Sequence, residues 1–401
     1  MRLLKYSGGQ VTRAGKALLA NDVSDANLKI LAWWRASHEE PLDRALDVLM
    51  QVASSKDKHA VYAKRLKRFA SIVSKLQIYK KMKLRDMNDM GGCRVVVGNE
   101  KKLRQVVREL KHLSYFHFED KDTRYKEKDH IKKPPPSGYR GFHLIGQFSD
   151  KDNNLKKIEV QLRTRIQHYW ATTVEIVDLF TDQALKSNQG QEKWRQFFSE
   201  TATQFEAMQS IHFFEGLESK LSKLKADSVA LTKSLDLETS QIEVKKLRKK
   251  LEAVKTKIEG IRKSKALFKT EYYNLMVENT ELEASRKRAR KLSRTLKVLT
   301  KLEAFSRSIE IIGGKFDSEE AYSGYVLLKI DTEKKTVSAE LFREEESKSA
   351  EEEYTEAERA STDKEVIALV SSGAVDNLKE AYPNYYADSS EFVALLKLIE
   401  K

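Results

Sequence analysis

Apolar residues through the N-terminal part of the chain recur at helical spacing. Leu28, Ile30, Leu31, Trp33 and Trp34 form one run, with Asp25 or Asn27 as its cap and a break at Glu39-Glu40-Pro41. Leu42, Ala45, Leu46 and Leu49 share a face in a second run, from about Pro41 to Val52. From Tyr62 to Met82, Lys64, Arg65, Lys67, Arg68, Lys75, Lys80 and Lys81 mix with Phe69, Ile72, Val73 and Leu76, which predicts a strongly basic helix. Lys67, Ser71 and Lys75 recur there at four-residue steps and would share one face, leaving Ile72 and Leu76 for a core.

The texture then changes. The β-branched run 93–97 (CRVVV) reads as a buried strand, 106–113 as a helix, and 142–148 and 157–163 as strands. The polar stretch 117–138 ends in Pro134-Pro135-Pro136-Ser137-Gly138, a stiff loop leading into a strand. A helix follows from about Arg165 to Phe180. The pattern is α/β with a central sheet. On strand 157–163, Glu159, Gln161 and Arg163 alternate with Val160 and Leu162, so the polar trio shares one face. That face is turned either to a ligand or, on an edge strand, to water.

Beyond about Leu217 the spacing becomes long-helical. Val244, Leu247, Leu251, Val254, Ile258 and Ile261 make a short heptad seam, which predicts an intramolecular helical hairpin. A second helix, about 265–305, carries Arg286, Lys287, Arg288, Arg290, Lys291, Arg294 and Lys297, a basic face that suits solvent as well as a polyanion. Residues 324–330 and 336–342 predict a β-hairpin, 344–358 an acidic loop or helix, 366–370 a strand, and VDNLKEAY and SSEFVALLKLIEK two helices. No internal repeat is found. The expected domains are 1–215, 216–305 and 306–401: an α/β domain, a coiled-coil-like helical segment and a small α+β regulatory or interaction module.

Composition narrows the picture. A chain of 401 residues calls for two or three domains. Its single cysteine, Cys93, excludes an internal disulfide and a cysteine-based zinc finger. No apolar run is long enough for a membrane helix and the first residues lack a secretion signal, so a cytoplasmic protein with no membrane contact is expected. The net charge of +14 favours phosphate-bearing partners.

Three clusters carry candidate chemistry. The cations and hydroxyl of Lys67, Ser71 and Lys75 suit a triphosphate. Asp89-Met90-Gly91-Gly92-Cys93-Arg94 puts a carboxylate at the start of a strand, where it can bind Mg²⁺ or simply form a turn, with an arginine that can hold a base or phosphate. The third cluster runs from Asp129-His130-Ile131 through Gly138-Tyr139-Arg140-Gly141-Phe142-His143 and is answered by Glu159-Val160-Gln161-Leu162-Arg163-Thr164.

Taken in order, RLKRFASIVSKL, DMGGCR, DHIKKPPPSGYRGFH and EVQLRTRIQHYWA resemble the synthetase domain of the RelA/SpoT family across about residues 60–180. The resemblance implies a nucleotidyltransferase-like α+β domain with a mixed sheet. It further implies pyrophosphokinase activity: an enzyme that moves pyrophosphate from ATP to a ribose 3′-hydroxyl. On that basis Arg65 and Arg94 would sandwich adenine, and Lys67, Ser71 and Lys75 would hold the ATP phosphates. Asp89 and Glu159 would be the catalytic, Mg²⁺-binding carboxylates, with Glu159 also the general base. Tyr139 would stack on the acceptor base, His143 would lie near the acceptor phosphates, Arg140 would join the acceptor side, and Gln161 and Arg163 would organise the sheet beneath. The departures Pro135, Ser137 and His130 all fall on the acceptor side. No His is followed directly by Asp, so the family's hydrolase motif has no counterpart.

Three functions follow as expectations. The first is synthesis of the alarmone (p)ppGpp from GDP or GTP, as in the stringent response. The second is a toxin-like enzyme that pyrophosphorylates the tRNA 3′-CCA end, in a toxin–antitoxin or phage-defence role. The third is a catalytically degenerate RNA- or partner-binding module. The C-terminal half is expected to restrain the synthetase or bind a regulatory protein, and an oligomer is compatible with the chain.

Overall fold

The computed structural model describes residues 6–20, 22, 24–67, 69–118, 125–181, 191–211, 217–238, 240–299, 302, 324–331, 336–362, 365–372 and 390–401. Contacts divide the chain into two compact units. The first comprises residues 1–134, 140–164 and 307–388, and the second 135–139, 165–306 and 389–401.

In the first unit, helices α1 (Gly8–Leu19), α2 (Asp25–Ala36) and α3 (Glu39–Ser54) precede strand β1 (Val61–Leu66) and helix α4 (Phe69–Ile78). There follow β2 (Gly91–Val97), α5 (Glu100–His112), β3 (Glu127–Asp129), β4 (Phe142–Ser149) and β5 (Leu155–Thr164). The five strands form one sheet in the order β1-β2-β5-β4-β3. Only the β2–β5 pair is parallel, so the sheet is mixed, as the α/β reading expected.

One face of this sheet is apolar. Cys93, Val95 and Val97 of β2, Val160 and Leu162 of β5, and Phe142 and Leu144 of β4 are all buried. Leu42, Ala45, Leu49 and Ala53 of α3 cover them together with Leu103, Val106, Val107 and Leu110 of α5. Pro41 falls in the first turn of α3, where its missing N–H costs little. Burial in this core pushes the Cys93 thiol up to about 12, which makes it an inert packing group. A second core gathers Val11 and Leu18 of α1, Leu31 of α2, and Ile72 and Leu76 of α4 around Leu84, Met87 and Met90. There Ile72 and Leu76 face inward as their spacing predicted.

The basic helix expected from Tyr62 to Met82 is corrected. Residues 61–66 form β1, antiparallel to β2, and the helix spans only Phe69–Ile78. Cross-strand pairing with β2 overrides the helical spacing of this segment, so Arg65 and Lys67 are not helical residues.

Also in the first unit, β6 (Gly324–Asp331), β7 (Thr336–Arg343) and β8 (Glu365–Ser372) make an antiparallel sheet in the order β7-β6-β8. The acidic run is helix α11 (Ser347–Ala360), which packs on that sheet through Ala350, Tyr354 and Ala357. This helix also reaches the N-terminal elements. The Arg35 guanidinium donates to Glu358 Oε2 at 2.8 Å and to Tyr354 Oη at 2.7 Å. Glu358 Oε1 accepts the Phe69 N–H at 3.0 Å, which satisfies an orphan donor at the start of α4.

The second unit is helical: α6 (Arg165–Thr181), α7 (Glu192–Gln209), α8 (Leu217–Leu237), α9 (Gln241–Glu278), α10 (Thr280–Leu296) and α12 (Ser390–Glu400). The predicted hairpin is α8 against α9, with Leu251 and Ile258 of the seam buried. The helix expected over 265–305 is instead divided. Here α9 runs on to Glu278, and the Asn279 side chain accepts the Leu282 N–H at 3.0 Å to begin α10. Part of the α10 basic face is satisfied internally: Arg286 pairs with Glu283, and Arg288 with Glu200. The final helix packs in this unit, not with the α+β strands, because Phe392 meets Phe197, Phe198 and Phe205 of α7. The helix predicted for VDNLKEAY lies outside the described residues. No described helix is long and apolar enough to cross a membrane.

Candidate active site

The register of the five-stranded sheet decides which side chains meet. Arg65 of β1 pairs with Gly92 of β2, and Gly92 pairs with Glu159 of β5. One rung along, Arg94 pairs with Gln161, which pairs with His143 of β4. Paired residues share a face, so Arg65, Arg94, Glu159, Gln161, Arg163 and His143 all stand on the side opposite the apolar core. The polar trio of β5 is therefore on an inner strand of the sheet. The edge-strand alternative is excluded, because β5 lies between β2 and β4.

These groups form a chain of contacts. Gln161 Nε2 donates to Glu159 Oε2 at 2.7 Å, and Arg163 donates to Gln161 Oε1 at 3.3 Å. His143 Nδ1 lies 3.3 Å from Glu159 Oε1. Burial works against the charge on Glu159, but His143, Gln161 and the nearby Lys75 outweigh it and hold the carboxyl down at about 2. His130, which opens the third cluster beside Asp129 and departs from the family pattern, packs its ring 5.3 Å from that of His143, edge to face. Its position within the loop motif was the only signal available for it.

A second cluster forms where β1 ends and β2 begins. Leu66 pairs with Gly91, and the Lys67 N–H then donates to the Met90 carbonyl at 2.8 Å, which sets Lys67 beside Asp89. Lys67 Nζ lies 2.8 Å from Asp89 Oδ2 and Lys75 Nζ 2.8 Å from Asp89 Oδ1. Burial opposes ionisation of Asp89, yet the two ammonium groups keep its carboxyl below the usual range. Ser71 and Lys75 sit one turn apart on α4, both half-buried, with Ile72 and Leu76 anchoring the helix on the other side. Lys67 joins them from the strand end, not from the helix. Lys67 and Lys75 meet at Asp89 across a strand–helix corner, not along one helical face. Gly91 has a physical reason of its own: a Cβ there would approach Ile158 Cδ1 to 2.8 Å.

Among the acceptor-side residues, Arg140 and His143 belong to the first unit and Tyr139 to the second. Gly138, just before Tyr139, has φ of +84°, and a Cβ on it would come within 2.7 Å of Ala202 Cβ. The structure therefore brings Arg65, Lys67, Ser71, Lys75, Asp89, Arg94, Arg140, His143, Glu159, Gln161 and Arg163 into one unit and leaves Tyr139 with the helical one.

One ionised carboxylate on the sheet face and a second at the start of β2, set amid lysines and arginines, are suited to holding polyphosphate. Residues 64–177 match the family model described as the region found in RelA/SpoT proteins, so the chain carries a RelA/SpoT region. GTP pyrophosphokinase YwaC of Bacillus subtilis (strain 168) is 33% identical over an alignment of 117 residues that covers 27% of this chain and 52% of that protein. The chain thus spans about half the length of the curated relative it matches. Among solved structures, small alarmone synthetase 1 of Bacillus subtilis bound to its product pppGpp aligns at a TM-score of 0.35 and 19% identity, covering 44% of this chain and 93% of that one. A GTP pyrophosphokinase family protein from Streptococcus pneumoniae aligns at 0.36 and 19%, covering 44% and 89%.

Proposed function

We propose that the chain is a pyrophosphotransferase that moves the β,γ-pyrophosphate of ATP onto the ribose 3′-hydroxyl of GDP or GTP, giving (p)ppGpp. The observation that carries this reading is Asp89 held between Lys67 and Lys75, with Lys75 also lowering Glu159, inside the segment that matches the RelA/SpoT region. In the reaction the 3′-oxygen bonds to Pβ, the Pβ–O bond to AMP breaks, and the hydroxyl proton leaves to a base. Such a transfer asks the protein mainly for alignment and for charge opposite the phosphates. Lys67, Ser71 and Lys75 would supply the cations and a hydroxyl for the ATP phosphates. Arg65 and Arg94 are diagonal cross-strand neighbours, about 7–8 Å apart at the backbone, a separation that lets a flat base slip between two guanidinium planes.

Asp89 and Glu159 are ionised hard-oxygen donors, which fits Mg²⁺, an ion that takes one or two carboxylates alongside substrate phosphates. A divalent cation held there would spread the charge developing during transfer. Glu159 already carries the charge that binding demands. As a general base it is weak while His143 and Gln161 hold it near 2, so that role requires the acceptor to displace one of those contacts.

The test is incubation with γ-labelled ATP and, separately, GDP, GTP or bulk tRNA. Labelled guanosine nucleotide lengthened by two phosphates supports the reading. Label on the tRNA 3′ end would support the toxin-like reading instead, and no transfer would leave a degenerate binding module. One observation favours the tRNA arm: Lys245, Lys249, Lys257 and Lys263 of α9 are exposed and have no acidic partner among the described residues. The 306–401 segment is proposed to regulate transfer, by itself or through a partner protein. Support comes from Glu358, which binds the start of the helix that bears Ser71 and Lys75.

A further inference from the structure

We propose that Arg104 and Asp129 are positioning residues for the acceptor side of the site, joining the mouth of the loop 130–141 to helix α5. The proposal rests on the pyrophosphotransferase reading above.

Asp129 is the last residue of β3 and pairs with Phe142, the first residue of β4, so these two residues bracket the loop. Phe142 belongs to the apolar face of the sheet, and Asp129 on the same side meets α5 beneath it. Arg104 Nη1 donates to Asp129 Oδ2 at 2.6 Å, and Nη2 lies 3.4 Å from Oδ1. Glu100 steadies the guanidinium from one turn earlier, accepting from Arg104 Nε at 3.0 Å. The other side of Asp129 faces the loop. Its Oδ1 accepts the N–H groups of Ile131 at 3.1 Å and Lys132 at 3.0 Å, and its carbonyl accepts the Lys133 N–H at 3.1 Å. The His130 N–H closes the mouth by donating to the Gly141 carbonyl at 3.0 Å.

Consecutive residues on an extended segment face opposite ways. Asp129 therefore reaches down to α5 while His130 comes up on the site face against His143, which contacts Glu159. A paired, two-point carboxylate–guanidinium contact fixes direction as well as distance. Once Asp129 is fixed, the rotation of His130 and the path of the chain toward Arg140 are fixed too. Neither Arg104 nor Asp129 touches the donor-side cluster of Lys67, Lys75 and Asp89.

The experiment uses the full chain and the variants R104A, R104K, D129A and E127Q. Amide hydrogen exchange without nucleotide is read first. The Ile131 and Lys132 amides are expected to exchange about tenfold faster in R104A and D129A, with β2 and β5 unchanged, because a broken anchor leaves local opening cheap. E127Q is the control: Glu127 also pairs with α5, through Lys111, but touches no loop amide. It is expected to leave loop exchange alone. In acceptor labelling, R104A and D129A should raise the acceptor KM about tenfold with the ATP KM within about twofold, and R104K should recover part of the loss because it keeps the charge without the fork. Unchanged loop exchange in both alanine variants overturns the proposal, as does an equal rise in both KM values or an E127Q effect as large as R104A. If the wild-type chain labels no acceptor, the functional reading fails, and the exchange data still decide whether the pair holds the loop.

Discussion

The two faces of the five-stranded sheet are built by the same strands and answer to different demands. On β5, Val160 and Leu162 point into a core closed by α3 and α5, while Glu159, Gln161 and Arg163, their immediate neighbours, point to the other side. The apolar face is held by burial, which is non-directional and tolerates exchange of one aliphatic group for another of similar volume. The polar face is held by directed contacts, in which His143 and Gln161 balance the half-buried Glu159, and at the strand end Lys67 and Lys75 balance the half-buried Asp89. A single strand thus carries stability and chemistry side by side, divided by the two-residue repeat. Substitutions one position apart should then fail in different assays.

The largest expected effect comes from the polar face. Asp89→Asn and Glu159→Gln should each lower transfer by about three orders of magnitude, because charge in the transition state goes uncompensated. Circular dichroism and the melting temperature should stay close to wild type. Near-normal turnover in both variants with every acceptor tried would remove these residues from the site.

The apolar face should show the converse. Leu144→Ala empties a fully buried position beside His143 and should cost about 2–5 kcal/mol of stability in denaturant unfolding. Where the variant is folded, the ratio of acceptor KM to ATP KM should match wild type. A changed ratio at unchanged stability would break the division between the faces.

Tyr139→Ala sharpens the polar side further. A lost base stack is worth about 1–3 kcal/mol, so the acceptor KM should rise by one to two orders of magnitude while ATP binding is kept. A loss of ATP affinity alone would put the ring on the donor side. The proposed control by the C-terminal half is checked by a chain ending near Phe214: relief of inhibition predicts faster acceptor labelling than in the full chain. A folded truncation of unchanged activity would leave residues beyond 214 a scaffolding role.

The smallest effect concerns acid. His38 packs near Gly91 on the α3 side, its Nδ1 2.7 Å from the Trp34 carbonyl, and burial lowers it to about 4. The folded chain binds this proton less readily than the unfolded one. Its contribution is therefore present at neutral pH and lost as pH falls from about 6.5 through about 4. Glu159, held at about 2, contributes at pH values above its ordinary range and loses that contribution as pH falls from about 4.5 towards 2. The melting temperature should then decline in two stages on acidification, and His38→Gln should flatten only the upper one.

Much of this arrangement is legible in the order of residues. The runs 93–97, 142–148 and 157–163 are strands, the trio on β5 shares a face, and Ile72 and Leu76 are buried, because residues two, three or four apart are neighbours by local geometry alone. What local spacing could not supply was partnership. Residues 61–66 hold cations and apolar groups in an order that fits a helix, and they become a strand only because β2 offers them an edge. Lys67 meets Asp89 through that pairing and not through a helical face. Phe392 settles α12 among the aromatic residues of α7, and Glu358 finds Arg35 more than three hundred positions away. Residue order alone sets which side chains alternate and which faces are apolar, since those follow from backbone repeat lengths. Which edges pair and which charges meet is settled in the folded chain, by competition among distant segments for the same hydrogen bonds and the same buried surface.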